Sequence, residues 1–173
     1  MARLRSWARR AALVLLGPLL FLSLAEGVLR LARVGSPASF FLPARLNGQP
    51  VWTDNAFYTR RYFEPGLERA PWPFTLPRDK SPGVTRIVVL GESAAMGDPM
   101  PEFGLSRHLE ALLDEAYPGR RFEVLNAAVT AINSHAVRAI AREAARHQPD
   151  YFVIYMGNNE VIGPYGPGTI HQA

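Results

Sequence analysis

The sequence contains no cysteine among its 173 residues. This absence excludes a disulfide framework, a thiolate metal site and a cysteine nucleophile. An oxidising compartment is permitted by the composition but is not indicated by it. The length suffices for one hydrophobic core and does not require two domains.

Several signatures of ligand-binding proteins are also missing. Neither Gly-x-Gly-x-x-Gly nor Gly-Lys-Ser/Thr occurs, so nucleotide binding at residues 91–97 is a weak alternative. The Gly-x-Ser-x-Gly elbow of the α/β-hydrolases is unmatched, because Ala95 stands where its second glycine would be. Histidine and acidic residues show no metal-ligand spacing. We therefore expect no metal and no cofactor.

The net charge of +4 is unevenly distributed along the chain. Residues 1–78 carry a balance of +7, whereas residues 79–173 carry a balance of −3. The basic excess therefore lies next to an apolar segment and not on the globular half. We expect no nucleic-acid partner.

Residues 1–34 have the pattern of a membrane-targeting segment. An uncharged run of 15 residues, 11–25, is preceded by four arginines: Arg3, Arg5, Arg9 and Arg10. A membrane span needs about 20 apolar residues, and residues up to Leu31 can extend the run. The alternatives are an anchor that contacts the membrane through residues 11–31, a signal peptide cleaved near Ala25, and a helix buried in a soluble core. Either of the first two sends residues 35–173 out of the cytoplasm.

Residues 35–82 contain eight prolines and nine aromatic residues. Proline disfavours a long helix or a central strand, whereas the aromatic residues argue against a disordered linker. We predict an extended arm, with or without short strands, that lies on the surface of the following domain. Packing is the expected role of the aromatic side chains, and carbohydrate binding is the alternative.

Residues 83–173 alternate between strand and helix patterns. Apolar runs at 86–90, 122–125 and 151–156 predict three strands buried in a parallel sheet. Apolar residues at helical spacing predict helices over about 105–116 and 134–147. This order predicts βαβ units and a doubly wound α/β sheet, in which function lies just beyond the carboxyl ends of the strands.

Small and polar residues follow each predicted strand. The three segments are 91–97 (GESAAMG), 126–131 (NAAVTA) and 157–160 (GNNE). Ser93 follows the first strand on a turn that leads into a helix, where a substrate can approach closely. A hydroxyl needs a base to become a nucleophile, and acyl transfer needs donors for the developing oxyanion. Backbone N–H groups and asparagine side chains at the other two strand ends supply such donors.

These segments resemble blocks I, II and III of the SGNH/GDSL hydrolase superfamily, in the same order. Residues 91–93 (Gly-Glu-Ser) resemble the Gly-Asp-Ser of block I, and residues 157–160 (Gly-Asn-Asn-Glu) resemble the Gly-x-Asn-Asp of block III. The resemblance implies a flavodoxin-like three-layer fold and an esterase that acts on lipid or carbohydrate esters through an acyl-serine intermediate. The segments are similar to those of membrane-anchored bacterial members, which implies a location in the bacterial cell envelope.

The resemblance also assigns roles to individual residues. Ser93 is implied to be the nucleophile, and its own backbone N–H one oxyanion donor. The side chain of Asn159 is implied to be a second donor. The donating glycine of block II corresponds to Ala131, which keeps its N–H but lacks the freedom of glycine to adopt a positive φ cheaply.

Four further residues are expected to support this site: Gly91, Glu92, Gly157 and Glu160. The family has aspartate where Glu92 and Glu160 stand. A carboxylate beside a helix N-terminus is favourable in itself. We therefore expect both glutamates to shape the turns and not to transfer protons.

The catalytic base of the family, a histidine in an Asp-x-x-His motif, has no counterpart in this sequence. His135, at the start of the second predicted helix, and His171, in the tail, are weak candidates, while His108 and His147 are predicted to lie away from the strand ends. Three strands are present where a sheet of this type has five. We expect the N-terminal part of a longer hydrolase, without enzymatic turnover by itself. A non-catalytic, membrane-tethered binding module with the same shape is the alternative.

Overall fold

The computed structural model describes residues 2–32 and 34–167, and the side chains of residues 2–9 and 11 are not described. The chain divides into two compact units, Met1–Ser36 and Pro37–Ala173. His171 lies outside the described residues.

The first unit contains one helix, α1, at Ala2–Leu31. Its segment Ala12–Leu31 has 20 residues and a mean hydropathy of 2.1, so the helix is long and apolar enough to cross a membrane. The predicted extension beyond Ala25 is confirmed. The large apolar side chains of this segment are exposed. A signal sequence has the same length and composition, so anchor and signal peptide both remain as predictions.

The second unit begins with a three-stranded antiparallel sheet. Its strands are β1 (Phe41–Leu46), β2 (Gln49–Asp54) and β3 (Thr75–Pro77), in the order β1-β2-β3. Asn47 and Gly48 connect the first two strands with φ values of 50° and 79°. Positive φ at both loop positions is typical of the type I′ turn that closes a two-residue hairpin.

The prediction that prolines exclude a central strand from this region is wrong, because β2 is central and contains Pro50. The ladder between β2 and β3 ends at Val51, next to Pro50, and the carbonyl oxygen of Pro50 accepts the N–H of Arg78 at 3.2 Å. Proline lacks a backbone N–H, and its position at the end of this ladder costs the sheet no interior hydrogen bond. Residues 41–77 therefore include a folded sheet and are not merely an extended arm.

The second sheet is parallel and confirms the predicted α/β alternation. Its strands are β4 (Val84–Gly91), β5 (Arg121–Asn126) and β6 (Tyr151–Tyr155), in the order β5-β4-β6. The helices of this unit follow in chain order: α2 (Ser93–Met96), α3 (Leu105–Ala116) and α4 (Ser134–Ala144), with short 3-10 helices at Tyr58–Arg61, Pro101–Phe103 and Ala145–His147. The described unit is thus a mixed α/β fold with two small sheets.

The two sheets share one hydrophobic core. Phe40, Phe41 and Tyr58 are buried in the same cluster as Leu90 of β4 and Ile140 of α4. The expected packing role of the aromatic residues is therefore confirmed for most of them. A second cluster lies on the other face of β4, where α2 and α3 pack. Helices and loops thus cover both faces of β4, as its continuous apolar run predicts.

The prediction of a buried third strand is right for the strand and wrong for its burial. β6 pairs with β4 alone among the described residues. Tyr151 is 63% exposed and Ile154 is 57% exposed. The strand is apolar on both faces, as a central strand would be, but it lies at the edge of the described sheet, where little covers it.

Candidate functional site

The carboxyl ends of the three parallel strands lie at one edge of the second sheet. The segments 91–97, 126–131 and 157–160 begin at or just beyond these ends, so the structure brings together the segments that the sequence singles out. We call this edge the carboxyl edge. The residues at the opposite edge, where β4 begins, form the amino edge.

Gly91 allows the close approach of β4, α2 and the end of β6. Its φ is 151°, and a Cβ at this position would lie 1.9 Å from the carbonyl oxygen of Tyr155 and 2.7 Å from the Cβ of Ala95. Any side chain here would force the two strands apart. The turn that presents Ser93 therefore depends on this glycine.

Ser93 is the first residue of the four-residue helix α2 and is half-buried. Its carbonyl oxygen accepts the N–H groups of Gly97 at 2.9 Å and Asp98 at 3.0 Å. These bonds close the turn beneath the serine. The Oγ has no hydrogen-bond partner among residues 34–167.

Glu92 is buried, with 1% of its surface exposed. Its carboxylate accepts three consecutive backbone N–H groups: Gly157 at 3.2 Å, Asn158 at 3.0 Å and Asn159 at 3.3 Å. These bonds join the residue next to Ser93 to the loop that follows β6. Glu92 thus holds this loop through hydrogen bonds.

Glu160 fastens the same loop to the N-terminus of α4. Its carboxylate accepts the backbone N–H of Ser134 at 3.0 Å and the Oγ–H of Ser134 at 2.7 Å. The unsatisfied N–H groups of a helix N-terminus favour such a carboxylate. This second glutamate therefore also holds the loop through hydrogen bonds.

The Asn159 side chain is oriented by the segment that follows β5. Its Nδ2 donates to the carbonyl oxygen of Ile132 at 3.1 Å. An amide NH₂ has two hydrogens, so one remains for another acceptor. The neighbouring Asn133 donates from Nδ2 to the carbonyl oxygen of Pro164 at 2.7 Å. Side-chain hydrogen bonds from both loops, the one after β5 and the one after β6, therefore hold the two loops together.

Ala131 adopts a φ of 65°, although alanine reaches positive φ less easily than glycine. The left-handed region is strained for a residue with a Cβ, by about 1–2 kcal/mol. The surrounding segment holds it, because Ala128, Val129 and Ile132 are buried. The alanine therefore takes a backbone conformation that glycine adopts more easily.

The sequence-predicted oxyanion donors have no acceptor in the part of the chain that the structure describes. The backbone N–H groups of Ser93 and Ala131 make no hydrogen bond there, and Asn159 keeps one Nδ2–H. All three residues are half-buried at the carboxyl edge. These groups are available to an anionic or strongly polarised ligand oxygen.

None of the described histidines is hydrogen-bonded to Ser93. His108 contacts the carbonyl oxygen of Gly104 through Nδ1 at 3.1 Å. His135 is exposed at the start of α4, 5.9 Å from the ring of Tyr165. Within residues 34–167, no histidine therefore lies in hydrogen-bond contact with Ser93.

His147 lies at the amino edge, as predicted. Its carbonyl oxygen accepts Nη1 of Arg86 at 2.6 Å, and its ring packs 4.3 Å from the ring of Phe41. Among the described residues, no group of three or more His, Asp or Glu side chains could hold a metal ion.

Asn126, the last residue of β5, is a supporting residue that the sequence analysis did not recognise. Its Nδ2 donates to the carbonyl oxygen of Met96 at 2.9 Å, and its Oδ1 accepts the N–H of Ala128 at 3.2 Å. The side chain thereby ties α2 to the segment after β5. An asparagine that ends a buried strand is the signal that points to this role.

A structural role for Arg86 was not predicted either, although an arginine near the start of an apolar strand indicates a buried charge that needs partners. It is fully buried. Its side chain donates to Glu123 at 2.8 Å, to the carbonyl oxygen of His147 at 2.6 Å and to that of Pro77 at 3.2 Å. This arginine links the antiparallel sheet to the amino edge of the parallel sheet.

Two cavities lie away from Ser93. One, of about 370 Å³, lies between residues 72–77 and the strand β5, beside α3. The other, of about 430 Å³, is at the amino edge and is lined by Trp52 and His147. Neither of these two cavities coincides with the candidate site.

No protein-family model, no curated protein and no solved structure matches this chain.

Proposed function

We propose that this chain carries the nucleophile and the oxyanion-binding part of an SGNH/GDSL-type serine ester hydrolase. The supporting observation is the set of donors at the carboxyl edge: within the described residues, Ser93 and Ala131 keep unpaired backbone N–H groups and Asn159 keeps an amide hydrogen. Oxyanion binding requires donors of this kind, held in place before the reaction. The strand order β5-β4-β6 fits the first three strands of a flavodoxin-like sheet.

In the proposed reaction, the Oγ of Ser93 attacks the carbonyl carbon of an acyl ester and loses its proton to a base. The carbonyl oxygen becomes an oxyanion and accepts hydrogen bonds from the three donors. Collapse of this intermediate breaks the bond to the alcohol, which leaves with the proton from the base. Water then attacks the acyl-serine, releases the carboxylic acid and restores Ser93. The base is a histidine from outside the described residues.

We further propose that α1 anchors this hydrolase to the bacterial cell envelope. The helix is long and apolar enough to cross a membrane, and arginines precede it. The positive-inside rule then places the N-terminus in the cytoplasm and residues 35–173 outside it. The substrate in this location is an acyl ester of a lipid or a carbohydrate.

A fluorophosphonate probe tests the proposal on the protein expressed from its complete reading frame. We expect covalent labelling of the peptide that contains Ser93 and at least a 100-fold loss of labelling in Ser93→Ala, because the probe reacts with an activated serine. Ser81→Ala is the matched control, since Ser81 lies in an exposed loop before β4. A folded protein that is not labelled at Ser93 would overturn the proposal.

A non-catalytic, membrane-tethered binding module is the second candidate. It is favoured by the three described histidines, none of which is hydrogen-bonded to Ser93. The same experiment distinguishes the two functions. Saturable binding of an acyl ester without labelling of Ser93 favours the module, whereas labelling of Ser93 favours the enzyme.

A further inference from the structure

Glu92 connects the nucleophile turn to the loop that carries Asn159. It precedes Ser93 directly in the chain, and its carboxylate accepts the N–H groups of three successive residues, 157–159. These residues lie 65 to 67 positions further along the sequence. One side chain therefore fixes the backbone on both sides of the candidate site.

Both carboxyl oxygens of Glu92 act as hydrogen-bond acceptors. Oε1 accepts from Gly157 and Asn159, and Oε2 accepts from Asn158. An ionised carboxylate is acceptor-only and matches three converging donors, whereas an amide would point its NH₂ at one of them. Consecutive N–H groups of this kind form an anion-binding concavity, and here the anion belongs to the protein itself.

A proton-transfer role for Glu92 does not fit this arrangement. The side chain is 1% exposed, and both of its oxygens are occupied by backbone donors. Charge-assisted bonds of this type are about twice as strong as neutral ones. The carboxylate is thus hydrogen-bonded to the loop and is not accessible to a substrate.

We propose that Glu92 is a positioning residue whose carboxylate fixes Asn159 relative to Ser93. The inference rests on the proposed function for the roles of Ser93 and Asn159. Glu92 holds the backbone N–H of Asn159, and Ile132 then orients the side-chain amide. Misplacement of a catalytic donor by about 1 Å can lower a rate about 100-fold.

The test compares three variants of the protein expressed from its complete reading frame. Glu92→Gln keeps the shape and removes the charge, and Glu92→Asp keeps the charge on a shorter side chain. Glu102→Gln is the matched control, because Glu102 is exposed in the 3-10 helix Pro101–Phe103. The measurements are the fluorophosphonate labelling rate at Ser93, resolved into probe affinity and maximal rate, and amide hydrogen exchange.

We expect Glu92→Gln to lower the maximal labelling rate at least tenfold with probe affinity changed less than threefold, and Glu92→Asp to recover part of the loss. Exchange at Gly157, Asn158 and Asn159 should accelerate at least tenfold in Glu92→Gln. Exchange at Ala127 and Val129, whose N–H groups bond to the carbonyl oxygens of Val89 and Gly91, should stay unchanged. Glu102→Gln should match the wild type in every measurement.

Three outcomes would overturn the inference: a wild-type labelling rate in Glu92→Gln, unaltered exchange at residues 157–159, or equal acceleration at Ala127 and Val129, which would show a general loss of structure. Absence of labelling in the wild type would instead contradict the proposed esterase. In that case the exchange measurement still decides whether Glu92 holds the loop.

Discussion

The two ends of strand β4 each bury one charged side chain, and the two charges are satisfied in different ways. At the amino edge, Arg86 is bonded to a carboxylate and to two carbonyl oxygens from other segments. At the carboxyl edge, the carboxylate of Glu92 is bonded, within the described part of the chain, only to backbone N–H groups of one loop.

The two ends also differ in the groups that surround each charge. Every nitrogen of the Arg86 guanidinium has an acceptor. Beside Glu92, the N–H groups of Ser93 and Ala131 have none among the described residues. Hydrogen-bonded buried groups contribute stability, whereas donors that are held in place without an acceptor are suited to a ligand. The amino edge therefore serves the fold, and the carboxyl edge is where chemistry is expected.

Among the substitutions that test this comparison, Arg86→Met is expected to have the largest effect on the free energy of unfolding. The change leaves Glu123 and two carbonyl oxygens without their donor, so we expect the free energy of unfolding to fall by about 3 kcal/mol. Urea denaturation of the detergent-solubilised chain measures it. Arg138→Met, on the exposed face of α4, should change the value by less than about 0.5 kcal/mol. Equal stability of the two variants would contradict a structural role for the amino edge.

A smaller effect, of opposite sign, is expected from Ala131→Gly at the carboxyl edge. Glycine relieves the strain at a φ of 65° and loses about 0.5–1 kcal/mol through its greater flexibility. We expect the free energy of unfolding to rise by up to about 1 kcal/mol, with labelling of Ser93 retained.

Ala128→Gly is the matched control for that variant. Ala128 is buried and is not among the positive-φ residues, so glycine there should destabilise the fold by about 1 kcal/mol. If both glycine variants destabilise the protein to the same extent, Ala131 is not strained.

The smallest expected effect is a pH dependence at the amino edge. Burial, and then the charges of Arg86 and Arg146, hold the pKa of His147 below its usual 6.5. The unfolded chain takes up a proton below about pH 6.5, while the folded chain takes it up only at a lower pH. Stability from this residue is therefore present above that pH and is lost as the pH falls. The urea midpoint should decrease from pH 7 to pH 5, and less so in His147→Phe. Equal slopes for the two proteins would contradict this prediction.

Asp150 titrates in a separate range and does not obscure that measurement. The hydrogen bond from Lys80, and then the backbone N–H of Arg86, hold the pKa of Asp150 below its usual 3.8. Its contribution to stability is present above about pH 4 and is lost only as the pH falls further.

Hydrophobic periodicity predicted the regular elements of the second sheet well. The run 86–90 lies inside β4, and the predicted helix over 105–116 coincides with α3. These elements depend on local patterns of apolar residues, which a sequence shows directly. The hairpin of β1 and β2 also had a local signal, the Asn47-Gly48 dipeptide. The nearby prolines nevertheless favoured the prediction of an extended arm.

Contacts between distant residues could not be predicted in the same way. The acceptors of Arg86 and the donors to Glu92 lie far away in the sequence, and only the packed fold brings them together. The exposure of β6 is a further case, because an apolar run indicates a strand but not what covers it. The positive φ of Ala131 likewise comes from the buried segment around it and not from the preference of alanine.

The sequence by itself determined the alternation of strands and helices and the placement of Ser93, Ala131 and Asn159 after successive strands, because parallel strands end at a common edge. Tertiary structure decided which N–H groups at the carboxyl edge have a hydrogen-bond acceptor. Glu92 occupies the N–H groups of residues 157–159, and among the described residues those of Ser93 and Ala131 stay unpaired. The physical reason is that hydrogen bonds between distant segments form only when packing sets their distance and direction.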